Sequence, residues 1–359
     1  MEIIKVGIYL NDCCFAGALA KALARRARGM VFRLLSAAEE AEDCHMVLST
    51  GEYEGTGAVR LVRRPESEHL DGEPFCVYRY KDSSNLVNDL LFIYFQMTGY
   101  VSAYRGSTRY RLLIFAACGG GCGTTSAALS VCRQLNRFYG ARCLYLNFCP
   151  IDDSRKYLPQ EEAGGFLKLL YYLKTGRDFP VSAFIARDDE LDYLRTGVVN
   201  AHLDEIDSHT METLLIRLRE EGRYDFLIAD VGGHLCRINK ELLGQAELVF
   251  LFHSARIPFP GKYREKISRE IEDRTDEGKL VCVENFSEDR WDGEQHSAEL
   301  FISRDDRAVS AEAGGRLVVD LSGNYGNEIA AIAERIMKET GDETVTERIH
   351  GETGGYDQT

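Results

Sequence analysis

No stretch of the chain approaches the run of about 18 apolar residues that a membrane-spanning helix requires. The longest apolar stretch, around Leu90 to Phe95, has only the length of a core helix segment. Positive charge is in short supply. Lys and Arg number 43 against 57 Asp and Glu, a net charge of −14, which argues against a broad phosphate-contacting face for nucleic acid and against electrostatic attachment to an anionic bilayer. A disulfide framework is missing as well. The 11 cysteines are odd in number, and most lie in apolar runs such as Phe75-Cys-Val-Tyr and Leu280-Val-Cys-Val. There they read as small buried hydrophobes of a reducing compartment. Cys118 and Cys122 have a suggestive spacing, but no second Cys or His pair lies nearby to complete a metal site. No signal-peptide pattern precedes the first strand-like segment, so a cytoplasmic location is expected. No internal repeat is apparent.

What the chain does have is 359 residues, 45% of them hydrophobic and 28% charged, enough for two α/β domains of ordinary size. Strand signals at Lys5–Leu10, Met30–Leu35, His45–Leu48, Ala58–Val62 and Phe75–Tyr80 alternate with loops and with helices expected over Phe15–Arg28 and Ser84–Gly99. Such alternation predicts parallel pairing. A polar Gly/Ser-containing linker is expected over 101–110. A second domain then opens with the strand Arg111–Ala116, followed by helix Ser126–Tyr139 and strand Ala141–Phe148. Helices are expected between Gly164 and Gly222, strands at Phe226–Asp230, Glu247–Phe252, Lys279–Asn285 and Arg316–Leu321, and helices at Gly261–Arg274 and Asn327–Thr340. The Gly- and Glu-rich tail, 341–359, is expected to be disordered.

The central signal is Ala116-Ala-Cys-Gly-Gly-Gly-Cys-Gly-Thr-Thr-Ser126, which follows a buried strand and opens a helix. Glycines let successive backbone N–H groups curl inward, and the helix N-terminus adds partial positive charge, so this context can cradle phosphate. The candidate phosphate-binding positions are Gly119, Gly120, Gly121, Cys122, Gly123 and Thr124, together with Thr125 and Ser126, either of which could place a hydroxyl on Mg²⁺. Two other strand ends carry chemistry. The strand within Gly222-Arg-Tyr-Asp-Phe-Leu-Ile-Ala-Asp230-Val-Gly-Gly closes on a carboxylate, Asp230. Asn285 closes the strand from Lys279 and offers both a donor and an acceptor.

In the first hundred residues the order of elements resembles a response-regulator receiver domain, a flavodoxin-type fold. Asn11-Asp12 keeps part of an acidic pocket and Lys81 closes the last strand, but Ser49 or Thr50 stands where a phosphoryl-accepting Asp is expected. Phosphotransfer is therefore not expected there, and a docking or dimerising role is.

The segment Gly119–Ser126 aligns with the K-G-G-x-G-K-[ST]-[ST] loop of MinD/ParA-type ATPases with both lysines replaced, by Gly119 and Thr124. The extra glycine after Cys118 leaves the register before Gly121 open. Asn147-Phe-Cys149-Pro150 stands where those ATPases often carry D-x-D-P, with both acidic positions gone; Asp152 and Asp153 are read as solvated loop residues. The whole pattern resembles the TadZ/CpaE-like branch of the MinD/ParA superfamily, over roughly residues 1–340. The resemblance implies a receiver-like domain (1–100) and a doubly wound P-loop domain (111–340). It implies ATP with Mg²⁺ as cofactor, Asp230 reaching the metal or its water shell, and Asn285 at the adenine edge. It further implies a homodimer that helps localise or assemble a tight-adherence secretion or pilus complex, recruited to a cell pole or membrane complex by its partners. Loss of the bridging lysine implies weakened binding and more severely damaged hydrolysis. Two alternatives stay open: an active positioning ATPase that takes a lysine from elsewhere, with Lys262 as candidate, and a nucleotide-free adaptor.

Overall fold

The computed structural model describes residues 3–27, 29–70, 74–81, 83–98, 110–159, 164–188, 191–194, 203, 206–254, 256, 261–287, 298–312 and 315–340, and for 84, 85, 164 and 261–263 the backbone alone. Nearly all of the expected linker and the whole of the expected tail lie outside the described residues. The chain forms two compact units that are discontinuous in sequence. The first comprises Met1–Thr108 with Tyr171–Arg187 and Ile216–Gly222; the second comprises Arg109–Leu170, Asp188–Leu215 and Arg223–Thr359.

In the first unit, strands β1 (Ile4–Ile8), β2 (Met30–Leu34), β3 (Met46–Ser49), β4 (Ala58–Val62) and β5 (Phe75–Tyr78) form one sheet in the order β2-β1-β3-β4-β5. Every pairing is parallel. This is the flavodoxin-like order. Helix α1 (Cys13–Arg26) starts where Asp12 accepts a 2.9 Å hydrogen bond from the Phe15 N–H, a side-chain N-cap. It buries Ala16, Leu19 and Leu23, one face at helical spacing. Helix α2 (Ser83–Thr98) covers the sheet with Leu86, Val87, Leu90, Ile93 and Tyr94. Between β2 and β5 the described parts of the connections hold only the short 3₁₀ segments Ala38–Ala41 and Pro65–Ser67, because the Glu- and Gly-rich sequence there carries no apolar stripe for a covering helix.

The second unit is built on an eight-stranded sheet. Its strands are β6 (Arg111–Ala117), β7 (Cys143–Asn147), β8 (Ala186–Asp188), β9 (Leu191–Leu194), β10 (Phe226–Gly232), β11 (Leu248–Ser254), β12 (Leu280–Ser287) and β13 (Leu300–Ser303). They are ordered β13-β12-β11-β6-β10-β7-β9-β8, so the winding reverses around β6. The registered pairings are all parallel. A sheet of this kind is covered on both faces, which is why β6, β10 and β11 read as nearly continuous apolar runs. Phe115 packs against Phe250 and Phe252 with ring centroids 5.1 and 5.8 Å apart, and all three are buried. Its helices are α3 (Thr124–Tyr139), α6 (Arg237–Leu243), α7 (Gly261–Glu272) and α8 (Asn324–Thr340), while α4 (Gly164–Thr175) and α5 (Ser208–Glu221) divide between the two units.

The expected α/β class holds, with three differences in detail. The strand expected at Arg316–Leu321 does not join the main sheet: β14 (Val309–Ala311) and β15 (Leu317–Val319) form a separate antiparallel pair. The segment expected to be helical between Gly164 and Gly222 also holds β8 and β9, too short to show a period. The strand β13 was hidden for the same reason.

Candidate functional site

In open parallel sheets, ligands bind at the carboxyl ends of the strands where the winding reverses. Here that place is the end of β6, and the glycine-rich segment joins it to α3. Gly121 and Gly123 take φ of 77° and 76°, the left-handed region that side chains disfavour. At Gly123 the constraint is also steric, since a Cβ would lie 2.3 Å from Asn285 Nδ2. The Asn285 amide fixes the loop: Nδ2 donates to the Cys122 carbonyl at 2.9 Å, while Oδ1 accepts from the Phe286 N–H at 2.8 Å. Phe286 itself has φ +60°, the only non-glycine residue in that region among those described. Its strained backbone falls at a register shift in β12, between Asn285 and Ser287. A second shift, between Asp230 and Gly232 of β10, flanks the loop on its other side.

A cavity of about 470 Å³ opens over this loop, lined by Gly119–Ser126, the turn after β7, the end of β12 and the segment after β13. The loop's three hydroxyls have different fates. Thr124, only 6% exposed, lines the cavity with its hydroxyl unpaired. Thr125 donates to Asp230 Oδ2 at 2.6 Å, and Ser126 donates to the Gly123 carbonyl at 2.8 Å. The Thr124–Ser126 N–H groups, at the first turn of α3, have no intrahelical acceptor.

Asp230 is fully buried. Besides Thr125, its oxygens accept from the Tyr145 hydroxyl at 2.9 Å, the Cys149 thiol at 3.4 Å and the Gly232 N–H at 3.1 Å. Burial raises its pKa above the ordinary carboxylate value, opposed by those four hydrogen bonds. Burial, and then the nearby Asp230, push the Tyr145 and Cys149 groups up as well, so both keep their protons. Asp230 is not among the lining residues; it reaches the cavity through Thr125. Cys118 is pushed up to about 12, mainly by burial, and all eleven cysteines are free thiols. Among the described residues no group of His, Cys, Asp or Glu is arranged to hold a metal.

The structure brings together every position singled out in the loop, with Asn285 beside it. Both ends of the Asn285 amide are committed to the protein, which makes this residue a clamp on the loop. Asn147 is likewise structural: Nδ2 donates to Asp152 Oδ1 at 2.6 Å, and Oδ1 accepts from the Cys149 N–H at 2.8 Å. Asp152, read as solvated, is 5% exposed, because it caps the turn 153–156 by accepting from the Ser154 N–H at 3.0 Å. Asp153 is the exposed member of the two and pairs with Lys156 at 2.7 Å. The side chain of Lys262 lies outside the described residues. Lys156 and Tyr157, which line the cavity, were not singled out by their sequence. The available signal was their position, just past the end of a strand adjacent to the loop's own neighbours.

The corresponding strand ends of the first unit are arranged differently. Thr50 donates to Glu52 at 2.6 Å and Asn11 to the same carboxylate at 3.0 Å. Ser49 is buried and accepts from the Gly51 N–H, Asp12 caps α1, and Lys81 is paired with Glu68 at 2.6 Å and Asp89 at 2.7 Å.

A glycine-rich loop at the winding reversal of a doubly wound sheet is the arrangement found in P-loop folds. Solved structures place it more narrowly. A ParA family ATPase from Chlorobium tepidum is 15% identical, covering 63% of this chain and 98% of its own length with a TM-score of 0.50. Cobyrinic acid a,c-diamide synthase from Mycobacterium smegmatis, solved with an ATP analogue and magnesium, is 16% identical, covering 65% of this chain and 96% of its own with a TM-score of 0.51. Over the matched part, the chain has the fold that these two ATP-site proteins share. No family model and no curated protein matches the chain.

Proposed function

We propose that the chain is a nucleotide-binding scaffold: it holds ATP with Mg²⁺ through backbone amides and hydroxyls and hydrolyses it weakly or not at all. The observation that carries this reading is the cavity at the head of α3, lined by Gly119–Ser126 with Gly121 and Gly123 in the left-handed region; Thr124, one of its lining residues, has a buried hydroxyl without a partner. A buried polar group without a partner costs free energy that a ligand's acceptor oxygen removes. For the metal, Thr125 is the fitting donor. Its hydrogen points to Asp230, so its oxygen lone pairs are left for a hard cation, with Asp230 acting behind it.

The same geometry supports slow turnover. Lysine is absent from the loop, and Asn147 and Cys149 are tied into structural hydrogen bonds. Of the carboxylates that line the cavity among the described residues, Asp305 is engaged with the Arg307 N–H at 2.9 Å. ATP then serves as a conformational or dimerising ligand rather than as fuel. The order of domains and the eroded loop, which resemble the TadZ/CpaE-like branch, support a homodimeric role in localising or assembling a secretion or pilus complex. In this role the receiver-like residues 1–100 dock partners.

Thermal unfolding with and without Mg²⁺ and ATP, paired with a phosphate-release assay, tests the reading. Mg²⁺ and ATP together should raise the unfolding temperature in a concentration-dependent way, with phosphate release at background. Rapid turnover would point to an active ATPase. No shift at millimolar ATP would leave only the adaptor.

A further inference from the structure

We propose that Lys156 supplies the cation that the phosphate loop has lost, exchanging its Asp153 partner for the nucleotide's phosphates. This rests on the reading of the cavity as a nucleotide site. Lys156 is the one Lys or Arg among the described residues lining that cavity. It stands on a short turn, 153–156, fixed at both ends. At the front, Asn147 holds Asp152, which in turn caps the turn through the Ser154 N–H, and Ser154 is fully buried. At the back, Arg316 Nε donates to the Tyr157 carbonyl at 3.0 Å. The turn packs against α3, and Tyr157 and Ser126 both line the cavity. An anchored backbone with an exposed tip is the arrangement that delivers a long cationic side chain to a fixed place.

The pair that Lys156 makes now is a weak competitor. Both side chains are more than half exposed, 61% and 57%, and exposed pairs at this spacing hold loosely. A charge-assisted bond to phosphate in a partly enclosed cavity is stronger. The two erosions of the loop and of the turn after β7 are then linked. Asn147, standing where an acidic residue is usual, anchors the very turn that carries the replacement lysine.

The test is calorimetric titration of Mg²⁺-ATP into the full chain, three single variants and one double variant. Lys156→Gln should weaken binding about tenfold to a hundredfold, the range of one charge-assisted hydrogen bond, and should reduce its salt dependence. Lys156→Arg should retain most of the affinity. Asp153→Asn should tighten binding in the parent background and do less in the Lys156→Gln background, because only the former has a lysine to release. If the parent binds and Lys156→Gln binds equally well, the proposal is overturned while the nucleotide site stands. Equal effects of Asp153→Asn in both backgrounds would overturn the exchange. A parent that binds nothing overturns both. All positions altered are exposed, so unfolding temperatures without ligand should match.

Discussion

Two strand-end sites in this chain have lost the charged side chains expected of them, and they have settled differently. In the receiver-like unit the positions around Asn11, Ser49, Thr50 and Lys81 satisfy one another. Glu52 gathers Thr50 and Asn11, and Glu68 with Asp89 takes up Lys81. In the second unit the loop keeps a cavity of about 470 Å³, left-handed glycines and a buried hydroxyl with nothing to bond. The contrast teaches that loss of a charged residue does not by itself close a site. Closure depends on whether neighbouring side chains consume the remaining donors. At the loop, Asn285 takes up a carbonyl, that of Cys122, and none of the loop's N–H donors.

The comparison can be broken most severely at Asp230. Asp230→Ala strands the donors of Thr125, Tyr145, Cys149 and Gly232, and should cost about 3–5 kcal/mol in denaturant unfolding. A loss within 0.5 kcal/mol, the level of an ordinary surface change, would mean the network is not what supports the loop.

Next in size is the restoration of charge at the loop. Thr124→Lys should tighten Mg²⁺-ATP binding about tenfold or more, read by calorimetry. The same kind of gain is not available in the first unit. Ser49→Asp there should not make the chain accept phosphoryl groups from acetyl phosphate, because Lys81 is already held by two carboxylates; intact-mass measurement reads this directly.

The pH dependence sharpens the picture further. The pKa of Asp230 is raised in the fold, chiefly by burial, so the folded state binds its proton more tightly than the unfolded chain does. That contribution is fully present below the ordinary value of 3.8 and is lost as pH rises through the higher folded-state value. The stability deficit of Asp230→Asn relative to the parent should therefore narrow as pH climbs above 3.8, a trend that urea unfolding across pH checks. The smallest effect is expected from Lys81→Met. Its two pairs are only partly buried, so it should cost about 1 kcal/mol and leave nucleotide affinity unchanged.

Much of this arrangement was legible in the residues. Continuous apolar runs marked β6, β10 and β11, and Gly119–Ser126 between a strand and a helix marked the loop, because backbone geometry there depends on residues that lack a Cβ. Asp230 was legible as a strand-end carboxylate, whereas its enclosure by Tyr145 and Cys149 was not. Both come from β7 and its end, and only the β7–β10 pairing brings them alongside. Asn285 could be singled out, yet its use as a clamp depends on a crossing of 163 positions in sequence. The short strands β8, β9 and β13 carry three or four residues each, too few to show a period. Lys156 was silent because nothing in a surface-like Asp-Asp-Ser-Arg-Lys turn says which way it will be anchored.

The role proposed for the second unit requires that backbone amides and hydroxyls at the head of α3 hold a triphosphate. Calorimetric titration of Mg²⁺-ATP into the full chain and into Gly123→Asp tests this most directly, since the added side chain would collide with Asn285 at a φ of 76°. The prediction is saturable binding by the parent and none by the variant. A folded variant that binds as tightly as the parent, or a parent with no saturable heat, would contradict it.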